Sequence, residues 1–166
     1  MRILLTNDDG VQADGLDVLK QLALSLSDDV WIVAPATEQS AASRGVTLHN
    51  PVVVRKLAEK TYSVSGTPTD CVIIAMREIF EDVRPDLVLS GVNRGQNIAE
   101  DIGFSGTVAG ALQGMQMGVP SMALSAARGL QNHNIGKVNW SAVLKNGPDL
   151  LKTLIKQGWP ENVVLN

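Results

Sequence analysis

Short apolar runs of strand length alternate with segments of helical periodicity along almost the whole chain. That order constrains the fold more than any single residue does. Met1 to Thr6 reads as a strand, and Leu16 to Leu26 carries apolar residues at 16, 19, 22, 23 and 26, the spacing of one helix face. Val30 to Ala34 is a second strand, stopped by Pro35. Thr37 to Asn50 is polar and small, hence a loop. Val52 to Leu57 and Thr61 to Ser65 form a candidate hairpin. Thr67-Pro68-Thr69-Asp70 then opens a helix to about Phe80, with Thr67 as N-cap, Pro68 at N1 and Asp70 at N3 near the positive dipole end. Leu87 to Leu89 is a strand, Ser105 to about Met117 a helix, Ser121 to Ser125 a strand, Asn139 to Gln157 a helix, and Val163 to Leu165 starts another strand. This alternation predicts one α/β domain over residues 1–166, Rossmann-like, with three αβα layers and a mostly parallel sheet. The chain stops inside its last apparent strand, which suggests further chain beyond it.

Two adjacent aspartates stand at the tip of the first strand, in Thr6-Asn7-Asp8-Asp9-Gly10. Carboxylates there repel each other and lose hydration, and a bound divalent cation offsets both costs. A plain Asx-turn with a helix cap is the alternative. In open α/β sheets ligands bind beyond the carboxyl ends of the strands, so the polar residues that follow each strand should converge. They are Asn7, Asp8 and Asp9; Glu38, Gln39, Ser40 and Ser43; Ser90, Asn93 and Asn97; and Ser125. Most are oxygen donors, which suit Mg²⁺, Mn²⁺ or Ca²⁺. His49 and His133 lack a ligand-like spacing, so nothing points to zinc.

A second feature is Gly103-Phe104-Ser105-Gly106-Thr107, which opens a helix of small residues. Its first-turn N–H groups and dipole favour an anion, and the Ser105 and Thr107 hydroxyls can add hydrogen bonds to phosphate oxygens. An ordinary serine N-cap explains the motif equally well. Gly110, Gly114 and Gly118 point to close backbone approach. Arg44 and Arg94 lie in the candidate loops, where they could meet a phosphate or simply face solvent. Cys71 and the three tryptophans read as packing residues.

Bulk properties narrow the function. Net charge is −3 with no basic tract, which argues against binding to a nucleic acid polymer. No apolar run is long enough to span a bilayer, and no signal-like segment is apparent. One cysteine excludes an internal disulfide. A soluble cytoplasmic protein is expected.

Taken together, these segments resemble the survival protein SurE family of metal-dependent 5′-nucleotidases. The match runs from Ile3-Leu4-Leu5-Thr6-Asn7-Asp8-Asp9-Gly10, with Ala13 and Gly15, through Val33-Ala34-Pro35 with Ser40 and Ser43. It continues through Gly66-Thr67-Pro68-Thr69-Asp70-Cys71-Val72 and Ser90-Gly91-Val92-Asn93-Arg94-Gly95-Gln96-Asn97 to Ser105-Gly106-Thr107-Val108-Ala109-Gly110-Ala111. Five blocks in family order are far more specific than any one of them. The resemblance implies that Asp8, Asp9, Ser40 and Asn93 hold one divalent metal, Mg²⁺ or Mn²⁺, with Asp8 and Asp9 catalytic. It implies that Asn97, Ser105, Gly106 and Thr107 form the phosphate end of the pocket. It also implies hydrolysis of nucleoside 5′-monophosphates, extending to 3′-nucleotides and short polyphosphate, by a homodimer or homotetramer without a membrane partner. Ala41 departs from the family, standing where many members have glycine. A non-catalytic nucleotide or phosphate sensor on the same scaffold is the competing expectation.

Overall fold

The computed structural model describes residues 1–80, 82–131 and 134–166. Its centre is a seven-stranded sheet of β1 (Arg2–Thr6), β2 (Asp29–Pro35), β3 (Val54–Ala58), β4 (Thr61–Val64), β5 (Leu87–Arg94), β6 (Ser121–Ala126) and β9 (Val164–Leu165). The strand order is β3-β4-β2-β1-β5-β6-β9. All neighbours pair in parallel except β3 with β4, the expected hairpin. Ile3, Leu4 and Leu5 are wholly buried because both faces of a parallel sheet are covered.

Helices α1 (Asp14–Leu24) and α4 (Trp140–Gln157) cover one face, where Leu16, Leu19, Leu22 and Leu151 pack on Ile3, Leu5 and Leu89. Helices α2 (Pro68–Ile74) and α3 (Gly106–Gln116) cover the other, where Val72 of α2 and the Ala75 that follows it pack on Leu4, Val33 and Val88. The three layers are those the alternation predicts. Helix α3 lies unusually close to the sheet. A Cβ on Gly110 would come within 2.8 Å of the Thr6 methyl, and one on Gly114 within 2.5 Å of Ser121 Oγ. Gly118 plays a different part from the packing role expected of it. It meets nothing within 4 Å and follows the helix with φ +81°, the left-handed turn that ends α3.

Several elements differ from expectation. Helix α2 ends at Ile74, and a π-helical turn over Ala75–Ile79 continues to Phe80, whose N–H reaches the Ala75 carbonyl. Strand β5 runs on to Arg94, so Asn93 lies within a strand, opposite Ser125, rather than in a glycine-rich loop. A 3-10 turn occupies Ala99–Gly103, and a two-stranded ribbon pairs β7 (Arg128–Gln131) with β8 (Asn134–Val138). Neither has an apolar periodicity by which to find it. His133 lies outside the described residues.

Candidate functional site

Strand β1 has β2 on one side and β5 on the other, so the chain's crossovers leave it in opposite directions. Such a switch point opens a crevice at the carboxyl ends of the strands. Asp8 and Asp9 follow β1 there, Asn93 is the penultimate residue of β5, and the amino end of α3 closes the third side. A cavity of about 350 Å³ results, lined among others by Asp8, Asp9, Ser40, Asn93, Asn97 and Ser105.

Asp8 is buried and Asp9 half-buried. The turn after β1 is closed by Asn7, whose side-chain N–H₂ donates to the Gly10 carbonyl at 2.9 Å. The residue before α1 is Ala13, with no side-chain cap. Neither aspartate side chain therefore closes this turn or caps α1. Asp8 Oδ1 instead accepts a hydrogen bond from Thr107 Oγ1 at 2.5 Å, linking the tip of β1 to the first turn of α3. Gly106 makes that approach possible, since a Cβ there would lie 2.7 Å from the Asp8 Cβ.

Burial raises the pKa of Asp8, and the neighbouring Asp9 adds to the rise while Thr107 opposes it. Burial also raises Asp9, with Arg94 opposing, Glu38 adding and Arg128 opposing. Burial is the main cause in both acids, and a bound cation would offset the cost of ionising two neighbouring carboxyls there.

The amide of Asn97 organises the opposite wall. Its Oδ1 accepts from Ser105 Oγ at 2.8 Å, Asn93 Nδ2 at 3.1 Å and Ser125 Oγ at 3.4 Å. Asn93 Nδ2 also donates to the Gly95 carbonyl at 2.8 Å. A carbonyl can only accept, so this bond fixes the orientation of the Asn93 amide and leaves its Oδ1 as a free acceptor. For Asn97 the logic is reversed. Its oxygen is engaged, and its N–H₂ remains as a donor.

Ser40 sits on the exposed loop after β2, with its hydroxyl donating to Glu38 at 2.7 Å. That loop is tied down at several points. Gln39 N–H donates to the Asp8 carbonyl at 2.7 Å, and Ser43 Oγ donates to the Gly103 carbonyl at 2.8 Å. Asp70 accepts from Thr47 Oγ1 at 2.6 Å while also completing the capping box with Thr67. The Gly66–Asp70 motif thus does more than begin a helix. It anchors the loop that carries Ser40.

The expected residues are not all brought together. Ser90 lies inside β5, wholly buried, and its hydroxyl has no partner. Thr107 is also wholly buried, so its hydroxyl serves Asp8 and does not open onto the cavity as a phosphate ligand would. Ser105 Oγ accepts from Val108 N–H at 3.1 Å, so it caps α3 as well as facing the cavity. Asp101, Phe104 and Arg128 also line the cavity. Arg128 was accessible to the rule of searching beyond each strand, because it follows β6 by two residues. Among the described residues, no three His, Cys, Asp or Glu side chains gather as a metal site would gather them.

An αβα sheet with an acid-lined pocket at its switch point, facing a helix amino end, defines a class of open α/β proteins with a ligand crevice at the carboxyl ends of their strands. This chain belongs within that class to the survival protein SurE family, whose model matches residues 3–166. It is 53% identical over 166 residues to the 5′-nucleotidase SurE of Parvibaculum lavamentivorans (strain DS-1 / DSM 13023 / NCIMB 13966), covering 100% of this chain and 59% of that protein. It is 55% identical to the 5′-nucleotidase SurE of Caulobacter vibrioides (strain NA1000 / CB15N), covering 100% and 63%. The crystal structure of the SurE protein from Aquifex aeolicus superposes with a TM-score of 0.84 at 40% identity, covering 97% of this chain and 62% of that one. The chain spans about three-fifths of the length of these relatives. No described helix is long and apolar enough to cross a membrane.

Proposed function

We propose that this chain carries the catalytic centre of a metal-dependent phosphomonoesterase that hydrolyses nucleoside 5′-monophosphates. The observation that carries this is the Asp8–Asp9 pair, brought together and partly desolvated at the switch point, where neither side chain closes the turn after β1 or caps α1. Two hard carboxylates, the free Oδ1 of Asn93 and the Ser40 hydroxyl oxygen make a donor set that fits Mg²⁺ or Mn²⁺. The two carboxylates would hold the ion, with Asn93 and Ser40 completing its shell. The ion supplies a Lewis acid that neutralises charge on the phosphoryl oxygens.

The other residues position the substrate. Asn97 donates its free N–H₂ to a phosphate oxygen, and Ser105 fixes the Asn97 amide so that this N–H₂ faces the pocket. The amino end of α3 adds to the anion site through the helix dipole. Thr107 holds Asp8, and Gly106 lets the helix end come that close. Asp9, the more open acid, accepts a hydrogen bond from the attacking water and keeps it in line with the leaving oxygen. Attack by Asp8 itself is disfavoured because its Oδ1 is engaged by Thr107. The names of the two bacterial relatives support the substrate class.

The test is release of inorganic phosphate from AMP by the full-length protein, with Mg²⁺ or Mn²⁺ and then with EDTA. Hydrolysis that EDTA abolishes is expected. Metal-independent hydrolysis, or none, would count against the proposal.

A further inference from the structure

Phe104 lines the pocket but plays no part in the chemistry above. The chain has two Phe, three Trp and one Tyr, and Phe104 alone among them is exposed, at 67%. It directly precedes Ser105, the cap of α3, and is the one large apolar side chain among the described residues that line the cavity. Its backbone is fixed on both sides. The N–H groups of Phe104 and Ser105 both donate to the Asp101 carbonyl, at 3.0 and 2.9 Å, and the Gly103 carbonyl accepts from Ser43 Oγ at 2.8 Å. The ring itself has no stacking or cation–π partner among the described residues. Single exposed apolar side chains are ordinary. This one is set on a tethered backbone at the mouth of a ligand crevice, beside the candidate phosphate end. The cavity also exceeds what a phosphoryl group needs, since about 350 Å³ falls in the range of roughly 300–1,000 Å³ that takes whole small molecules. Its outer charges do not favour a second anion, because Glu38 and Asp101 line it as well as Arg94 and Arg128. The flat face of Phe104 is what remains for the organic part of a phosphomonoester, and such a face binds planar rings by stacking.

We propose that Phe104 is a specificity-determining residue whose ring stacks on the planar base of the substrate while the phosphate lies at Asn97 and Ser105. The proposal rests on the phosphomonoesterase assignment and adds the residue that separates a nucleotide from a sugar phosphate without a base. The contact is made far from phosphorus, so it serves binding rather than the chemical step. A stacked base adds on the order of tenfold or more in affinity.

Binding calorimetry with phosphonate analogues tests this without turnover, because their C–P bond is not hydrolysed. Full-length protein with Mn²⁺ is titrated with the 5′-phosphonate analogue of AMP and with that of ribose 5-phosphate. The AMP analogue should bind about tenfold or more tightly to the wild-type protein. Phe104→Ala should bring the two affinities within about twofold of each other. Phe104→Leu keeps apolar bulk without a ring face and should lose most of the preference, whereas Phe104→Trp should retain it. Ile102→Ala is the control, exposed on the same segment but not lining the cavity, and should keep the preference. Circular dichroism checks folding, and Phe104→Leu carries the test if Phe104→Ala does not fold. Equal binding of the two analogues by the wild-type protein, or binding of neither, would overturn the proposal. So would a preference that survives in Phe104→Ala and Phe104→Leu, including the case where these variants change only the oligomeric mass on gel filtration. Phosphate release from AMP with metal is scored separately. A base preference without release counts against the phosphomonoesterase assignment alone, and release without a base preference counts against Phe104 alone.

Discussion

Replacing Gly106 by alanine places a methyl group against the acid at the heart of the site. The new carbon would lie 2.7 Å from the Asp8 Cβ, 3.0 Å from its Oδ2 and 3.2 Å from its Cγ. Ordinary carbon–carbon contact is about 3.5–4.0 Å, so something must move by roughly 1 Å. The Asp8 side chain is the softer partner, because α3 is seated on β5 and β6 through Gly110 and Gly114. Overpacking costs about 1–3 kcal/mol, and alanine returns up to ~1 kcal/mol through its helix propensity. The net loss is then roughly 0–3 kcal/mol, at most about 6–12 °C in Tm for a chain of this size. A carboxylate misplaced by about 1 Å costs on the order of 100-fold in rate. Gly106→Ala should therefore remain folded and lose metal-dependent phosphatase activity about 100-fold, measured as phosphate release from AMP beside a thermal melt. Gly103→Ala is the control, since a Cβ there meets nothing within 4 Å, and both readouts should stay at wild-type values. Full activity in Gly106→Ala would refute the close-approach argument.

Other substitutions test separate links. Burial raises the folded pKa of Asp8 above 3.8, so without metal its contribution to stability is present below that pH and is lost as pH rises through the folded value. Asp8→Asn should flatten this pH dependence and melt higher than the metal-free wild type at pH 7, while losing at least ~100-fold in activity. A variant less stable than the wild type at pH 7 contradicts the assignment. Ser105→Ala removes the cap of α3, about 1 kcal/mol, and should raise KM for AMP more than it weakens Mn²⁺ binding. Equal losses would make Ser105 a cap only. Ala41 has φ +59°, a region that favours glycine, so Ala41→Gly should raise Tm by a few degrees, from roughly 0.5–1 kcal/mol. A lower Tm would show that the loop gains from alanine.

The layers and the crevice that holds the candidate site were legible in the sequence because both follow from periodicity. Leu16, Leu19, Leu22 and Ala23 mark one helix face, and the tip of the first strand must lie at the sheet edge where ligands bind. The Thr67–Asp70 box was legible because each residue has a known place in a helix start. Tertiary arrangements were not. Nothing in Thr107 shows whether its hydroxyl faces a cavity or bonds Asp8, since both suit a first-turn threonine. Asn93 falls in a glycine-rich run that reads as a loop, but Gly91 and the bulge beyond Ser90 let β5 continue beside β6. The β7–β8 ribbon escaped because its residues carry neither alternation nor a tight-turn signature. The tie from Asp70 to Thr47 spans 23 residues and has no local trace.

The claim on which the rest depends is that one divalent cation is held between Asp8 and Asp9. Titration of full-length protein with Mn²⁺, followed by electron paramagnetic resonance, measures this directly. The account predicts one tight ion per chain, with affinity falling at least ~100-fold in both Asp8→Asn and Asp9→Asn, consistent with the loss of a charged ligand. Mn²⁺ bound with unchanged affinity in both variants would contradict it.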